Sequence, residues 1–486
     1  MFALLCILTG ATLTLAALAA YVRWHDALHP AIVVAPTFGY TMSVWPLLLN
    51  ATGGLDAYFD EGQLVHIQLV HFLSIACFCL GLFTKSFKPG LVSADRATIG
   101  VLTANGRRRL YEVAVLLGVL SLGSYLYAIE RAGGFVQAFS FAKGGGDPTV
   151  SGYIGEAILF SFPSVLAIAI ARRAGGGRLF PVDIVLSFVF LSPQLLQGIL
   201  GGRRGPLFLC IATLFFSWFI ARNRRPSLPM IVLGIGLAGL GGLFVFSQRH
   251  EVYLGSGNDV ELSRLEEVLL PQTVDPGDTF VTGGAYMLSA DFYGKFYWGY
   301  RYFVTFFIRP IPRQLWPTKY EDMGATWVLG MSDQNEERER TSLAGFTTVA
   351  GSAMTSVADA YLEFAWGVLP LFFLVGCTFA KSWSLHRERG GEWTIIFSVM
   401  LALSVYLASQ SFSAWAIRLL FIGLPVTFLW KNWVCGDSHL RWAKERFRSI
   451  AKPDGPVAHP VLLGVRSHSS SRSRTASKFR SFRRHG

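Results

Sequence analysis

A basic and aromatic stretch from Phe292 to Tyr320 contains the residue types best suited to binding a phosphorylated ligand. It holds no Asp or Glu, while Lys and Arg alternate there with Tyr, Trp and Phe. Guanidinium groups bind phosphate through two parallel hydrogen bonds, and aromatic faces offer a large apolar surface to a sugar ring or lipid chain. We therefore predict that the phosphate-binding residues here are Arg301, Arg309, Arg313 and Lys319. The predicted sugar or lipid contacts are Trp298, Tyr300 and Trp316.

A competing interpretation of this stretch is an amphipathic segment at a membrane surface, with aromatic rings among the headgroups and arginines on lipid phosphates. The sequence Arg309-Pro310-Ile311-Pro312-Arg313 favours a binding site, because proline lacks an N–H donor and excludes an ordinary helix interior. Such a kinked segment would hold two arginines in a fixed geometry. A turn that merely ends a helix is the alternative for this motif.

Arginine also occurs at two places where membrane topology disfavours it. The turn from Gly201 to Pro206 contains Arg203 and Arg204, and Arg418 lies a few residues inside the last apolar segment. Glycines let a phosphate approach the backbone, and the start of a following helix adds a favourable dipole. We add these three arginines to the predicted phosphate-binding set. The alternatives are a tight turn that contacts headgroups and an Arg418 side chain that extends to the membrane interface.

A transfer reaction at such a site also needs a group that accepts a proton. Asp359 and Glu363 stand four residues apart and would share one helical face. Asp291 precedes the basic stretch, and His250 follows the eighth apolar segment. Each of these four residues is a candidate catalytic base, and each can equally be a solvated surface residue.

The remaining histidines and the cysteines show no metal-binding pattern. His66 and His71 lie in one apolar segment, where we expect buried, hydrogen-bonded side chains. The six cysteines are scattered in or beside apolar segments, so they predict neither a disulfide framework nor a metal site. We therefore predict no metal and no cofactor.

Long apolar segments must position all of these residues. Of 486 residues, 52% are apolar and 15% charged, whereas soluble domains carry about a quarter charged residues. Apolar runs of roughly 17 to 25 residues recur, each long enough to cross a hydrocarbon core as a helix. We predict an all-α polytopic membrane protein of about eleven transmembrane helices, at 2–22, 31–50, 66–84, 111–129, 154–171, 180–200, 206–221, 229–247, 363–380, 393–411 and 415–434.

The distribution of Lys and Arg predicts the orientation of these helices. Basic residues are concentrated in the connections 85–110, 172–178 and 222–225, which alternate correctly to be cytoplasmic. The segment 51–65 is acidic, and 248–362 holds more acids than bases, so both are expected outside. No Lys or Arg precedes the first apolar run, which we therefore interpret as a retained helix with an outside N-terminus and not as a cleaved signal.

Four regions follow from this orientation, and the last of them is a tail that carries most of the formal charge of +12. Such a tail is typical of a topology signal that also contacts anionic lipid, and nucleic-acid binding is not predicted. The regions are a bundle of eight helices at 1–247, a large extracytoplasmic loop with short helices and the predicted site at 248–362, three further helices at 363–434, and a basic, disordered cytoplasmic tail at 435–486.

Several motifs together resemble one known family. They are PGDTF at 276–280, YWGYRY at 297–302 and IPRQLWPTK at 311–319. This pattern resembles the outer loop of bacterial oligosaccharide repeat-unit polymerases, the Wzy-type O-antigen polymerases. YLEFAWG at 361–367 resembles that family's return into the membrane, and GGRRG at 201–205 resembles its turn between two middle helices. Tyr320 stands where the family usually has a proline.

The resemblance implies a GT-C-like glycosyltransferase of the plasma (inner) membrane. It would join polyprenyl-diphosphate-linked oligosaccharide repeat units on the outer face, with inversion at the anomeric carbon and polyprenyl diphosphate leaving. Charge that develops on the diphosphate must be stabilised, and a base must take the acceptor proton. The implied partners are the lipid-linked oligosaccharide, membrane lipid, a chain-length regulator and a flippase.

Three other functions stay open at this point. A secondary transporter or flippase would share the topology, although the ionisable groups gather near one membrane surface and no repeat of two halves is evident. A noncatalytic subunit of an envelope-glycan complex would need none of the arginines. An O-antigen ligase-like glycosyltransferase would differ only in the acceptor.

Overall fold

The computed structural model describes residues 1–84, 104–139, 154–174, 179–201, 203–247, 274, 277–311, 315–325 and 353–435, and for 204, 238 and 240–247 only the backbone. The described chain is all-helical. The main helices are α1 (Phe2–Trp24), α2 (Pro30–Ala51), α3 (Glu61–Phe83), α4 (Ala104–Arg131), α5 (Gly155–Arg173), α6 (Pro181–Ile199), α7 (Arg204–Ala221), α8 (Leu228–Ser247), α9 (Thr279–Tyr293), α10 (Tyr300–Phe303), α11 (Ser356–Phe364), α12 (Val368–Arg389), α13 (Glu392–Ser409) and α14 (Phe412–Leu429).

Among the described residues, nine helical segments are long and apolar enough to cross a membrane, as expected of a polytopic membrane protein. They coincide with nine of the predicted spans. The other two predicted spans coincide with α7 and α8, which are apolar over the shorter stretches Gly205–Ala221 and Leu228–Leu237. The span predicted to start at 363 begins earlier, because α11 and α12 together form one segment from Ser356 to Arg389.

Local sequence explains where several of these helices begin. The Asp60 carboxylate accepts the Gln63 N–H at 2.8 Å, and the Gln63 side chain accepts the Asp60 N–H at 2.9 Å, so α3 starts at a capping box. Asp278, from the PGDTF motif, caps α9 by accepting the Phe280 N–H at 2.8 Å. Its other carboxylate oxygen accepts the Trp45 indole N–H at 2.9 Å, which ties α9 to α2.

Close packing of α3 against α12 forms the centre of the bundle. A Cβ on Gly81 would lie 2.2 Å from the Phe373 carbonyl, and one on Gly376 would lie 2.2 Å from the Phe78 carbonyl. Small residues at such a contact let helix backbones approach closely, as is common between membrane helices. This pair gives the scaffold on which the functional residues rest.

The helix termini of the described chain gather at two ends of the bundle. At the first, Arg387 near the end of α12 donates to Asp26 at 2.7 Å, and Arg107 at the start of α4 donates to the Ala174 carbonyl at 3.0 Å. We call this the basic end. Its cations include Arg23, Arg107, Arg108, Arg109, Arg172, Arg173, Arg222, Arg224, Arg225, Arg387, Arg389 and Lys431.

The opposite end, which we call the site end, holds the start of α3, the end of α13 and the start of α14. Here the Ser356 hydroxyl donates to the Leu407 carbonyl, and the Ser413 N–H lies 3.4 Å from an Asp359 carboxylate oxygen. Helices α9 and α10 pack at this end. The residues that the sequence nominates as bases and phosphate ligands are therefore brought to one end of the bundle wherever the structure describes them.

Candidate functional site

Backbone hydrogen bonds dock the segment before α10 onto the end of α11. The N–H groups of Tyr297 and Trp298 donate to the carbonyls of Leu362 and Glu363 at 3.2 and 2.7 Å. The next N–H, that of Gly299, donates to the Glu363 carboxylate at 2.9 Å. These donors satisfy carbonyls that a helix end leaves unpaired, so the motifs YWGYRY and YLEFAWG form one structural unit.

This docking holds three residues at positive φ. Trp298 has φ 51°, Gly299 has φ 87° and Ala365, directly after α11, has φ 49°. Only glycine adopts such values without steric cost, so Trp298 and Ala365 each carry backbone strain of roughly 1–3 kcal/mol. Strain of this kind concentrates at functional sites, and here it aims α10 back across the end of the bundle.

Arg301 lies between two fully buried carboxylates. Its guanidinium is 3.1 Å from an Asp359 oxygen and 3.5 Å from a Glu363 oxygen, and both acidic side chains are 0% exposed. The other Asp359 oxygen accepts the Tyr302 hydroxyl at 3.0 Å. The guanidinium also lies over the Tyr297 ring, 5.4 Å from its centroid. This arrangement, the carboxylate cluster, joins α10, α11 and α14.

The electrostatics of the carboxylate cluster keep Arg301 charged. Burial lowers the pKa of Arg301, but Asp359 and Glu363 raise it, and the net shift is upward. Burial and the Asp359 carboxylate raise the pKa of Tyr302 well above the ordinary phenol value, so its hydroxyl remains a donor. Arg301 is thus engaged by protein carboxylates, which favours a positioning role over contact with a diphosphate.

A second polar cluster is partly open to solvent. His66 Nε2 lies 2.8 Å from one Asp291 oxygen, and the Tyr361 hydroxyl donates to the other at 2.8 Å. The side chains of His66 and Asp291 are each 33% exposed. The rings of Tyr361 and Trp366 meet the imidazole edge-on, with centroids 6.2 and 6.0 Å away. We call this group the histidine cluster.

The expectation of buried histidines on α3 is confirmed for His71 and wrong for His66. His71 is 1% exposed and hydrogen-bonds the Ile67 carbonyl at 2.8 Å and the Thr355 hydroxyl at 2.9 Å. Because His66 lies five residues nearer the site end, its ring leaves the core and meets Asp291 from α9. Sequence separation of 225 residues hides this pairing.

An aromatic cavity of about 400 Å³ opens between α9 and the segment that follows it. Its volume lies within the roughly 300–1,000 Å³ of small-molecule sites. Tyrosine hydroxyls, the Ser289 hydroxyl and one ammonium group among the described residues supply polar contacts beside the rings. The side chains that give the cavity its character are Tyr286, Tyr293, Lys295, Phe296, Tyr297 and Trp298.

Lys319 and Arg309 have different roles at the Pro310 turn. The Lys319 ammonium donates to the carbonyls of Ile308, Arg309 and Ile311, the first two at 3.1 and 3.0 Å, and is 2% exposed. An ammonium has three N–H donors, so this geometry ties Lys319 to the turn. The half-buried Arg309 guanidinium has no protein partner among the described residues. Lys319 therefore fixes the backbone of the turn that carries Arg309.

Arg418 and the GGRRG turn, which contains Arg203, both approach Tyr406, although they are far apart in sequence. Arg418 lies over the Tyr406 ring, 4.2 Å from its centroid, and 3.8 Å from a Glu156 carboxylate. A Cβ on Gly205 would lie 2.3 Å from the Tyr406 hydroxyl, so Gly205 in the GGRRG turn allows a close approach to Tyr406.

The other nominated residues take the following positions. Tyr300 and Trp316 pack against the small core of Val304, Ile308 and Tyr320. The Trp316 indole donates to Asp322 at 2.6 Å, and this bond and that of Thr318 lower the pKa of Asp322. Trp298 is 71% exposed beside the cavity. His250, Arg313, the Arg204 side chain and the tail after 435 lie outside the described residues.

Three tyrosines have contacts in the site that the sequence did not predict. Tyr302 and Tyr361 each donate to a nominated carboxylate, and Tyr297 lies beneath Arg301. Their only signal in the sequence is membership of the motifs YWGYRY and YLEFAWG.

Comparison of the chain with protein-family models, with curated proteins and with solved structures gave no significant match.

Proposed function

We propose that this protein is a polysaccharide polymerase of the plasma membrane. It joins polyprenyl-diphosphate-linked oligosaccharide repeat units on the outer face, by glycosyl transfer in which polyprenyl diphosphate leaves. The acceptor is a sugar hydroxyl of the next lipid-linked unit. The architecture is that of a GT-C-like glycosyltransferase with about eleven membrane helices.

The observation that carries this proposal is the aromatic cavity at the end of a membrane-helix bundle. A sugar presents apolar faces and many hydroxyls, and the cavity offers rings together with hydroxyls and the Lys295 ammonium. Two of its lining residues, Tyr297 and Trp298, are held by backbone hydrogen bonds to Leu362 and Glu363, so this part of the site is preorganised. A lipid-linked sugar reaches such a cavity from the membrane without leaving it.

Phosphate groups would be held by cations beside the cavity. Arg309 has an available planar fork, and Lys319 fixes the turn that carries it. Arg313, three residues beyond Pro310, joins it on the strength of the family-like run IPRQLWPTK. Arg418, over the Tyr406 ring, and Arg203, in the turn that approaches the Tyr406 hydroxyl, are proposed as a second cationic patch. These groups would stabilise the negative charge that develops on the leaving diphosphate.

The two ends of the bundle support an orientation for the protein. The basic end gathers most cations of the described short helix connections, which favours the cytoplasmic side for this end and the outer side for the site end. A phosphatase reporter fused at about residue 300 should be active, and the same reporter in the tail should be inactive. The reverse pattern would overturn this orientation.

The decisive experiment measures polymer in a strain that lacks the gene and carries a plasmid-borne variant. Arg309→Lys keeps the charge but loses the planar fork, so we expect short or no polymer. Lys295→Met removes the ammonium of the cavity wall and should shorten the polymer. Arg389→Lys, at the exposed end of α12 on the basic end, is the matched control and should leave polymer length unchanged.

Protein abundance in the membrane is measured beside polymer length, because loss of the protein would mimic loss of activity. Polymer of normal length from both Arg309→Lys and Lys295→Met, at normal abundance, would refute the proposed site. A gene deletion that leaves polymer unchanged would refute the proposed function itself. Chain-length regulators and flippases are the proposed protein partners, and no cofactor enters this scheme.

A proton-coupled transporter or flippase is the second candidate, and the carboxylate cluster favours it. Two carboxylates at 0% exposure share one guanidinium there, and ionisable groups inside membrane proteins often mark proton pathways. Vesicles that hold the purified protein distinguish the two functions. A flippase would move lipid-linked oligosaccharide across the bilayer without lengthening it, whereas a polymerase would lengthen it and release polyprenyl diphosphate.

A further inference from the structure

We infer that His66 is the general base that takes the proton of the acceptor hydroxyl, held in place by Asp291 and Tyr361. This inference rests on the proposed glycosyl transfer. None of the residues nominated from the sequence as the base is His66, and the motifs that resemble the polymerase family do not include it. Tertiary structure alone brings Asp291 and the Tyr361 ring to its imidazole.

The geometry of the histidine cluster suits proton transfer. Asp291 accepts from Nε2 at 2.8 Å, which fixes the neutral tautomer with an unprotonated Nδ1. A carboxylate in this position also stabilises the imidazolium that forms when the ring takes a proton. Nδ1 has no protein partner among the described residues, and the side chain is 33% exposed. The acceptor hydroxyl can therefore reach it.

Asp291 and Tyr361 are positioning residues. The two carboxylate oxygens of Asp291 are engaged separately, one by His66 and one by the Tyr361 hydroxyl. The edges of the Tyr361 and Trp366 rings bracket the imidazole and limit its rotation. Among the described residues, the titratable groups that contact the His66 ring are thus Asp291 from α9 and Tyr361 from α11.

The two nominated acids of the carboxylate cluster are less suited to the task. Asp359 and Glu363 are 0% exposed and face Arg301. Asp359 also accepts from Tyr302, and Glu363 accepts from the Gly299 N–H. A base must come within hydrogen-bond reach of the proton that it removes. That requirement favours the half-exposed imidazole over the buried acids.

Proton transfer to His66 accompanies the displacement at the anomeric carbon. The acceptor O–H bond breaks and its proton moves to His66 Nδ1, while the acceptor oxygen forms a bond to the anomeric carbon of the donor. The bond from that carbon to the diphosphate oxygen breaks, and its electron pair leaves with polyprenyl diphosphate. His66 then releases the proton to water, which restores the neutral ring.

The test uses purified full-length protein in liposomes with lipid-linked repeat units extracted from a strain that lacks the gene. Release of polyprenyl diphosphate is measured as a function of substrate concentration, which separates kcat from KM. His66→Gln should lower kcat about 10²- to 10⁴-fold, as for loss of a general base, with KM changed little.

Positioning variants and rescue complete the test. Asp291→Asn should weaken the rate less than His66→Gln, and Tyr361→Phe less again. Added imidazole should restore part of the rate of His66→Ala, which a purely structural role of His66 would not allow. His71→Gln on the same helix controls for damage to α3, and thermal unfolding in detergent shows whether each variant is folded.

The outcomes separate this inference from the function on which it rests. A folded His66→Gln protein that turns over at the wild-type rate overturns the assignment of the base alone. A His66→Ala protein that unfolds near the wild-type temperature yet is not rescued by imidazole also overturns it. Wild-type protein that releases no polyprenyl diphosphate overturns the proposed function and the base together.

Discussion

Replacement of Arg301 by methionine tests whether the carboxylate cluster holds the site together. Arg301→Met keeps much of the apolar side-chain volume but removes the guanidinium that contacts Asp359 at 3.1 Å and Glu363 at 3.5 Å. Both acidic side chains are 0% exposed, so the variant leaves two buried acidic groups without the cation that they share. Removing one partner of a buried ion pair costs about 3–5 kcal/mol, and we expect a loss of that size.

The same reasoning predicts a rescue. In the triple variant Arg301→Met, Asp359→Asn and Glu363→Gln, both buried charges are gone, while the amide oxygens can still accept from the Tyr302 hydroxyl and the Gly299 N–H. Neutral replacement of a buried ion-pair network is often close to neutral in stability. We therefore expect the triple variant to lie within about 1–2 kcal/mol of wild type and clearly above the single variant.

Unfolding of the detergent-solubilised protein, followed by tryptophan fluorescence, measures these differences. Arg309→Met is the matched control, because Arg309 is half-buried and has no described protein partner, and we expect a change within about 0.5 kcal/mol. A loss below about 1 kcal/mol for Arg301→Met would refute the reasoning. A triple variant no more stable than the single variant would show that packing, not charge, explains the loss.

Three further predictions follow from individual contacts. Gly205→Ala puts a Cβ 2.3 Å from the Tyr406 hydroxyl and should lower the unfolding free energy by about 1–3 kcal/mol. The control Gly423→Ala, whose Cβ would have nothing within 4 Å, should not destabilise the protein. Equal unfolding free energies of the two variants would contradict the contact with Tyr406. Ala365→Gly relieves the backbone strain at φ 49° and should raise the unfolding free energy by about 1 kcal/mol. An unchanged or lower unfolding free energy would contradict this strain. Removal of 437–486 should leave polymer length on gels largely unchanged, because this polar, basic segment contains none of the residues of the proposed site. Loss of polymer with normal membrane insertion would assign the tail a role.

The sequence alone determined the class of the fold and the positions of its helices. An apolar run of membrane-spanning length can be predicted as a helix without knowledge of its tertiary contacts, because the backbone of a helix satisfies its own hydrogen bonds in lipid. The helices of the structure lie at all eleven predicted places. The segment predicted to start at 363 begins earlier, at Ser356. The prediction placed its start too late because Asp359 and Glu363 interrupt the apolar pattern, and the structure pairs these two acids with Arg301.

The sequence also indicated the short motifs from which the site is built. YWGYRY and YLEFAWG contain Tyr297, Arg301 and Glu363, and these residues do lie together. What their side chains do there was not readable. Local patterning shows which residue types are present, but the partner of a charge is set by chain segments far away in sequence.

Only the tertiary structure divided the nominated cations and found the imidazole. Lys319 and Arg301 are of residue types that commonly bind phosphate. In the structure, however, three backbone carbonyls hold Lys319 and two carboxylates hold Arg301. His66 resembles a core residue in its apolar segment, yet α9 brings Asp291 to it. The physical reason is that hydrogen-bond and charge pairing act over a few ångströms in space, whatever the separation along the chain.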